Sequence, residues 1–172
     1  LIAAACFVAA ANAQEFEELV ATVNSNPKSS WKAVVPTRFN STEDVKTLCG
    51  TWLKDHPKYM RLPEKKYDDN YDYSALPASY DARTAHANCT VISKVRDQSS
   101  CGSCWAFGST ESFEDRRCIA TGEDVEFSTE DTASCCRSFA CGFSMGCNGG
   151  QPSAALQWMA NTGVVTGGDY PD

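Results

Sequence analysis

The sequence predicts an α-rich half-domain over residues 76–172, preceded by a segment of different character over residues 14–75. Three helices with recognisable start and stop signals account for much of the later segment, and few strands are expected there. Its cysteines and turn residues are dense, whereas the earlier segment combines short helices with a polar linker. The charge is also uneven, because residues 76–172 hold twelve acidic against six basic side chains and residues 14–75 hold ten against nine.

Two short helices are predicted in the earlier segment. Apolar side chains recur at helical spacing over residues 15–24, and Pro27 ends that pattern. A second helix is expected over about residues 41–48, with acidic side chains in its first turn. Residues 57–72 are irregular and polar, which is typical of an exposed linker that proteases can cut.

The three helices of the later segment are each predicted from their ends. The first is expected over about residues 103–120, with Gly122 as its C-terminal signal. The second begins after Ser128, whose hydroxyl can cap it in a capping box. The third is expected over residues 152–161, because it starts with a proline and Gly163 follows it.

The composition is that of a globular protein, with 42% hydrophobic and 22% charged residues. A formal net charge of −7 argues against nucleic acid as a partner, because phosphate binding needs clustered Lys and Arg. Eight of the ten cysteines fall between Cys89 and Cys147, a density that indicates disulfides formed in an oxidising compartment. The alternative is a reduced zinc cluster. Such a cluster would need a second Cys-x-x-Cys pair, which the later cysteines do not supply.

The N-terminus indicates entry into the secretory pathway. Residues 1–13 are apolar at first and end in a small-x-small cleavage site, Ala-Asn-Ala, so we interpret them as a signal peptide truncated at its start. A buried alanine-rich helix is the alternative. The stretch is too short to span a bilayer, and no later segment is apolar enough to do so. Glycosylation sequons begin at Asn40 and Asn88.

Residues 98–107 carry the motif with the clearest chemical meaning. In its string CGSCW, Cys104 is placed at the first turn of a predicted helix, beside partial positive charge and N–H groups without helical partners. Both stabilise a thiolate, which is the form of cysteine that attacks a carbonyl carbon. The Gln98 side chain and the Cys104 backbone N–H can then donate to the developing oxyanion. The pattern predicts Cys104 as a nucleophile and Gln98 as its oxyanion donor.

The same cysteines allow a second interpretation, because Cys101 and Cys104 form a Cys-x-x-Cys pair as in disulfide oxidoreductases. Those sites follow a buried strand within a βαβ unit, and residues 91–95 could be such a strand. The aromatic residue follows the motif instead of preceding it, and no doubly wound pattern continues. Redox chemistry is therefore the weaker interpretation.

Further strings extend the pattern over nearly the whole chain. Besides the nucleophile motif they are Leu48-Cys49-Gly50-Thr51, Leu76-Pro77-Ala78-Ser79-Tyr80-Asp81-Ala82-Arg83, Val95-Arg96-Asp97-Gln98, Cys135-Cys136 with Cys141, and Gly146-Cys147-Asn148-Gly149-Gly150. On these residues the chain resembles the papain-like cysteine proteases and, within them, the cathepsin B group. The resemblance implies an α+β fold of the papain-like type, of which only the α-rich left half is present, preceded by a short propeptide.

The resemblance also implies a domain organisation. A signal peptide over residues 1–13 would be followed by an inhibitory propeptide over residues 14–75, which runs through the substrate cleft in the direction opposite to substrate. Residues 76–172 would be the N-terminal part of the peptidase domain, without its C-terminal half. Cys49 and Gly50 of the propeptide would lie close to the nucleophile.

Site residues follow from the resemblance in the same way. The implied disulfides are Cys89–Cys118, Cys101–Cys147 and Cys136–Cys141, with the partner of Cys135 beyond residue 172. The substrate-binding residues would be Asn148, Gly149, Gly150 and Pro152. Glycine suits positions 149 and 150 because its backbone can approach a ligand closely. A simple tight turn is the alternative explanation for the two glycines.

The function implied is that of a cysteine-type endopeptidase made as a zymogen, which hydrolyses peptide bonds through an acyl-enzyme. Its partners would be protein or peptide substrates, its own propeptide and cystatin-type inhibitors, with no cofactor and no metal. The compartment would be a lysosome, a lysosome-like organelle or the exterior of the cell.

The sequence departs from the family pattern in two respects. Ser99 stands where many members have Gly, which matters if that position needs a positive φ. The catalytic His and its orienting Asn are missing, since His56 and His86 match neither and are interpreted as surface residues. Residues 1–172 alone are therefore expected to have no peptidase activity. A truncated, non-catalytic homologue that binds proteins is the alternative function.

Overall fold

The computed structural model describes residues 15–57, 59 and 65–168. The chain divides into two compact units, Leu1–Cys49 and Gly50–Asp172. The signal peptide predicted at residues 1–13 lies outside the described residues. Within the described part, no helix is both long enough and apolar enough to cross a membrane.

The first unit contains the two helices predicted for it. Helix α1 covers residues 15–25, and helix α2 covers Thr42–Lys46. Ser41 begins α2 with a capping box, because its hydroxyl accepts from the Asp44 amide at 3.2 Å and the Asp44 carboxylate accepts from the Ser41 amide at 3.1 Å. The apolar face of α1 is only partly covered, since Phe16 is buried but Leu19 is 51% exposed.

The second unit contains four α-helices among its described residues. They are α3 (Ala82–Ala85), α4 (Cys104–Thr121), α5 (Thr129–Cys135) and α6 (Pro152–Thr162), with 3₁₀ turns at Tyr73–Ala75, Thr90–Ser93 and Phe139–Cys141. The predicted end signals operate as expected. Gly122 ends α4 with a φ of +77°, and the Ser128 hydroxyl accepts from the Asp131 amide at 3.0 Å at the start of α5.

One sequence-based suggestion about this unit is wrong. The segment considered as a strand in the redox interpretation, residues 91–95, begins instead within the 3₁₀ turn Thr90–Ser93. The Asp124 carboxylate accepts from the Thr90 hydroxyl at 2.5 Å and from the Val91 amide at 3.1 Å, so a distant side chain takes the donors that a strand ladder would use.

Helices α4, α5 and α6 pack around one core. Its buried residues are Trp105, Ala106, Cys136, Cys141, Ala154, Ala155 and Met159. In the part of the chain that the structure describes, β structure is confined to three isolated bridges, Thr51↔Gly150, Gly102↔Asn148 and Phe127↔Thr166. Two of these bridges meet at the first turn of α4, where the motif cysteine lies.

Candidate active site

Cys104 is the first residue of the 18-residue helix α4. Its thiol is half-buried and takes part in no disulfide. The preceding residue, Ser103, is buried and makes no side-chain cap, so the first amides of α4 are not covered by its hydroxyl. The sulfur therefore lies where the helix dipole favours negative charge, as the motif predicts.

Three disulfides stabilise the second unit, and they join the pairs that the resemblance implies: Cys89–Cys118, Cys101–Cys147 and Cys136–Cys141. The second bond matters most for the site, because Cys101 precedes Cys104 by three residues. Since Cys101 is bonded to Cys147, the Cys-x-x-Cys pair needed for thiol–disulfide exchange is not formed. Cys135 is an exposed free thiol, and a hydrogen bond with Asp131 raises its pKa.

The glycine wall, residues 146–150, lies beside Cys104. The indole N–H of buried Trp105 donates to the Gly146 carbonyl at 2.9 Å, which ties the wall to α4. A Cβ on Gly150 would lie 2.5 Å from the Trp105 ring, so only glycine fits there. Gly149 has a φ of +101°, which again requires glycine. Both glycines are buried, whereas Asn148 is exposed.

A second stretch of backbone, the facing segment of residues 50–52, lies against both the wall and the thiol. The Gly50 amide donates to the Cys104 sulfur at 3.2 Å, and the Thr51 hydroxyl lies 3.3 Å from the same sulfur. The Gly150 amide donates to the Gly50 carbonyl at 2.8 Å, and the Trp52 amide donates to the Gly150 carbonyl at 3.2 Å. The facing segment is thus a short parallel partner of the wall.

The close approach of this segment depends on glycine. Gly50 is buried, and a Cβ added to it would lie 1.6 Å from the Gly102 carbonyl oxygen. The Trp52 indole covers Gly149, since a Cβ there would lie 2.7 Å from the indole nitrogen. His56 stacks on Trp52 with ring centroids 4.5 Å apart and is half-buried. His56 is therefore not the simple surface residue that the sequence suggested.

Gln98 is placed by the loop that leads into α4. Its side-chain amide donates to the Cys101 carbonyl at 2.7 Å, which fixes the direction of the amide group. The next residue, Ser99, has a φ of +55°, so this position does need the backbone conformation that glycine adopts most easily. The Asp97 carboxylate accepts from the Ser99 amide at 2.8 Å and supports that turn.

The sequence interpretation missed a buried ion pair beneath this loop. Arg96 and Glu114 have side chains only 1% and 3% exposed, and their charged groups are 2.8 Å apart. The Glu114 carboxylate also accepts from the Phe127 amide at 2.6 Å, and Arg96 donates to the Phe127 carbonyl at 2.8 Å. Burial raises the pKa of Glu114, while the Phe127 amide and the Arg96 charge oppose that rise.

A signal for this pair existed in the sequence. Ala106, Thr110, Glu114 and Cys118 recur every four residues along α4, and all are buried. A carboxylate on the buried stripe of a helix needs a cationic partner, and Arg96 is a candidate just upstream of the motif. The pair joins the segment that carries Gln98 to the helix that carries Cys104.

Gln151 and Pro152 follow the wall and begin helix α6. Pro152 is the first residue of α6 and half-buried, and its carbonyl accepts from the Ser109 hydroxyl at 3.2 Å. Gln151 is buried, and its amide nitrogen lies 3.5 Å from the Trp52 carbonyl, a contact that the sequence did not suggest. Among the described residues, no group of His, Cys, Asp or Glu is arranged to hold a metal ion.

Comparison with protein families places this site in a known class. The family model described as papain family cysteine protease matches residues 76–171, and the chain belongs to that family. Within it, the similarity is to cathepsin B-like enzymes. The chain is 38% identical to a cathepsin B-like cysteine proteinase of Schistosoma japonicum over 88% of its own length, and 40% identical to cathepsin B-like cysteine proteinase 6 of Caenorhabditis elegans over 90%.

Solved structures agree with this assignment. The fold matches procathepsin B S9 from Trypanosoma congolense with a TM-score of 0.72 at 27% identity, over 91% of this chain and 52% of that one. A stem bromelain precursor matches at 23% identity with a TM-score of 0.66, over 96% of this chain and 50% of that one, and shows the fold alone. The described part of the family match, residues 76–168, is the α-rich half of the papain-like fold. The chain spans 44% and 41% of the two curated relatives.

Proposed function

We propose that the full-length protein containing this sequence is a cysteine endopeptidase in which Cys104 attacks the peptide carbonyl. The observation that carries the proposal is the free, half-buried Cys104 thiol at the start of α4, with an extended peptide segment already hydrogen-bonded across it. The same geometry would hold a substrate main chain against the glycine wall, where Gly150 offers both an amide and a carbonyl.

The proposed reaction has two halves. The Cys104 thiolate adds to the carbonyl carbon, and the oxyanion accepts hydrogen bonds from the Cys104 amide and the Gln98 side chain. An imidazolium then protonates the leaving amine as the C–N bond breaks, which leaves a thioester on Cys104. Water, deprotonated by the same imidazole, hydrolyses the thioester and restores the thiol. That imidazole would come from a part of the full-length protein outside residues 1–172.

We also propose that residues 14–75 act as an inhibitory propeptide and residues 76–172 as part of the peptidase domain. The Gly50 amide of the facing segment donates to the sulfur of Cys104, and the Thr51 hydroxyl lies within hydrogen-bond distance of the same sulfur. The segment therefore presents polar groups to Cys104 in place of a carbonyl carbon to attack. Its parallel pairing with the wall supports a direction opposite to that of a substrate paired antiparallel.

Secretion would fit the disulfides and the sequons. Asn40 and Asn88 are both exposed, so both could carry glycans, and the three disulfides suit an oxidising compartment. A lysosomal or secreted enzyme would act on proteins and peptides and would be open to cystatin-type inhibitors. Treatment of the secreted protein with a glycosidase, read as a mass loss at each sequon, tests the first part of this proposal.

Selective labelling tests the nucleophile. In the full-length enzyme with its propeptide removed, iodoacetamide at mildly acidic pH should alkylate Cys104 faster than any other cysteine, because its thiolate is stabilised there. The matched control is Cys101, the other cysteine of the motif, which is bonded to Cys147. Cys104→Ala should abolish turnover. Equal labelling of the two cysteines, or activity that survives the substitution, would reject the assignment.

Residues 14–172 alone should have no peptidase activity. Of the two histidines, His86 lies 3.0 Å from the Tyr80 hydroxyl and His56 is stacked on Trp52, and we assign neither to proton transfer. Without an acid for the leaving amine, acylation cannot proceed at a useful rate. The chain, made under oxidising conditions and cut near Ala75, is assayed with a dipeptidyl fluorogenic substrate at pH 5–7. Turnover that Cys104→Ala removes would show that another group supplies the proton.

A further inference from the structure

The turn at residues 138–143 places two aromatic side chains outside the core of the second unit. Phe139 is 85% exposed and Phe143 is 49% exposed. Their ring centroids are 6.0 Å apart and the rings are nearly perpendicular, at 82°, which is an edge-to-face pair. Two phenylalanines paired on the surface form an apolar patch with the geometry of a binding site.

This turn is held firmly, so the exposure of the rings is a property of the fold. Cys136 and Cys141 are joined by a disulfide and are fully buried in the core. The Phe143 amide donates to the Ser138 carbonyl at 2.7 Å and closes the turn. Ser138 and Phe143 both have a φ of +61°, a conformation that side chains with a Cβ rarely adopt. Backbone strain of this kind tends to accumulate at binding sites.

A groove of about 620 Å³ separates these rings from helix α6. One side is apolar and consists of Phe139 and Phe143, whereas the α6 side presents the amides of Gln157 and Asn161. An apolar wall facing a few amide groups suits an extended peptide, because the rings can pack on a side chain while the amides bond to main-chain groups. A cavity of this size can accept one large aromatic side chain and its neighbours.

Two residues that follow the facing segment help to form this groove. Pro57 and Tyr59 line it together with the two phenylalanines, a few residues after the facing segment at the nucleophile. The contact of Gln151 with the Trp52 carbonyl continues the path from the glycine wall towards α6. The chain reaches the groove through turns, since the His56 amide donates to the Leu53 carbonyl at 2.9 Å and the Tyr59 amide donates to the His56 carbonyl at 2.9 Å. One short stretch of polypeptide therefore contacts both the Cys104 sulfur and the aromatic groove.

We propose that this groove is a remote substrate subsite that selects an extended peptide with an aromatic side chain several residues away from the scissile bond. The proposal rests on the proposed peptidase function, because it assigns part of the substrate of that enzyme. Pro57 and Tyr59 line the subsite in the present chain. After their removal, an aromatic residue of the substrate takes the place of Tyr59 beside the two rings.

The experiment uses the full-length enzyme with its propeptide removed. One set of long quenched fluorescent peptides carries a single tyrosine at successive positions from the third to the eighth residue on either side of the scissile bond. A matched peptide has alanine throughout, and a short dipeptidyl substrate reports the reacting centre alone. The enzymes are wild type, the double variant Phe139→Ala/Phe143→Ala, and Val165→Ala as a control at another exposed apolar site.

Wild type and Val165→Ala should cleave at least one tyrosine peptide with a kcat/KM about tenfold higher than the alanine peptide, the scale of one buried aromatic contact. The double variant should lose that preference and keep its activity on the short substrate, which also shows that it is folded. A preference that survives in the double variant, or no preference at any position in wild type, overturns the proposal.

A binding measurement separates this subsite from the peptidase assignment. A labelled peptide with the sequence of residues 55–60 is titrated into each protein after alkylation of its free thiols, beside the same peptide with alanine in place of its tyrosine. Tighter binding of the tyrosine peptide to wild type, lost in the double variant, supports the groove even if no substrate is cleaved. Equal binding of the two peptides to wild type rejects the groove even if the enzyme is active.

Discussion

The glycine wall and the facing segment lie side by side at Cys104, yet they are held in different ways. The wall is joined covalently to the nucleophile loop by Cys101–Cys147, and Gly150 rests on the buried ring of Trp105. The facing segment is held at the thiol and the wall through hydrogen bonds. Each hydrogen bond contributes only about 1 kcal/mol net, so the segment is attached reversibly.

This difference separates what belongs to the fold from what occupies the site. Contacts of the wall are packed into the core, and changing them should destabilise the second unit. Contacts of the segment lie at the reactive sulfur, and changing them should open the site while the fold remains. The proposed propeptide needs this difference, because the site must be complete before activation and its cover must be removable.

The largest effect is expected at the ion pair beneath the nucleophile loop. Arg96→Ala leaves Glu114 buried without its cationic partner, and breaking a buried pair in this way costs about 3–5 kcal/mol. The loss should be smaller at acidic pH. Removing Arg96 raises the pKa of Glu114 further, and a carboxyl whose folded-state pKa lies above its unfolded value gains stability as pH falls through the folded pKa.

Urea unfolding of the full-length protein at pH 7 and pH 5 measures both parts of this prediction. Arg116→Ala is the matched control, because Arg116 is exposed on the same helix. Equal stabilities of the Arg96 and Arg116 variants would mean that the buried pair does not support the loop.

Replacing Gln98 should cost a similar free energy, but as a loss of catalytic rate instead of a loss of stability. If its amide donates to the oxyanion, Gln98→Ala should lower kcat by about 10²–10³ with little change in KM, because the interaction forms mainly in the transition state. Single-turnover and steady-state kinetics of the full-length enzyme measure the two parameters separately. An unchanged kcat would remove Gln98 from this role and leave only its hydrogen bond to the Cys101 carbonyl.

A smaller loss of stability is expected within the wall itself. A methyl group on Gly150 would meet the Trp105 ring at 2.5 Å, so Gly150→Ala should destabilise by about 1–3 kcal/mol, as overpacking of a core does. Gly108→Ala is the control, because no atom lies within 4 Å of its added methyl group and the position is helical. That variant should be neutral or slightly stabilising. Two unchanged melting temperatures would show that the wall can move away from Trp105.

The smallest effect is expected in the facing segment. Gly50→Ala would bring a methyl group against the Gly102 carbonyl, so residues 50–52 should shift away from the wall. The Gly150 amide would then lose its acceptor, and its hydrogen exchange should become about fivefold faster, the equivalent of one hydrogen bond of about 1 kcal/mol. The melting temperature should change little. Thr51→Ser keeps the hydroxyl and is the control, and full protection in Gly50→Ala would place the segment within the fold.

Much of the helical framework could be predicted because its signals are local. Gly122, Ser128 and the proline that begins α6 each act on amides or carbonyls within one turn of the helix. Helix α4 begins and ends one residue later than predicted, and α6 ends one residue later. Helix α2 begins one residue late and ends two residues early. The position of Cys104 at a helix start followed from the same local reasoning.

Long-range contacts lay beyond such reasoning. The strand considered at residues 91–95 was wrong because the Asp124 carboxylate, more than thirty residues away, binds the first groups of that segment. His56 was assigned to the surface because nothing local indicates that it stacks on Trp52. The exposed Phe139 and Phe143 were not noticed, because an aromatic residue near cysteines is ordinarily expected in a core.

The sequence by itself determined the helices, the family and the residue at the head of α4, because caps, spacing and a short motif act over a few positions. Only the tertiary structure decided which charges are buried together, which glycines touch another backbone and which aromatic rings stay outside. Arg96 meets Glu114 across eighteen residues, and Gly50 meets Gly102 across fifty-two. The free energy of such contacts depends on burial and on the neighbours that folding brings together, and no local pattern contains that information.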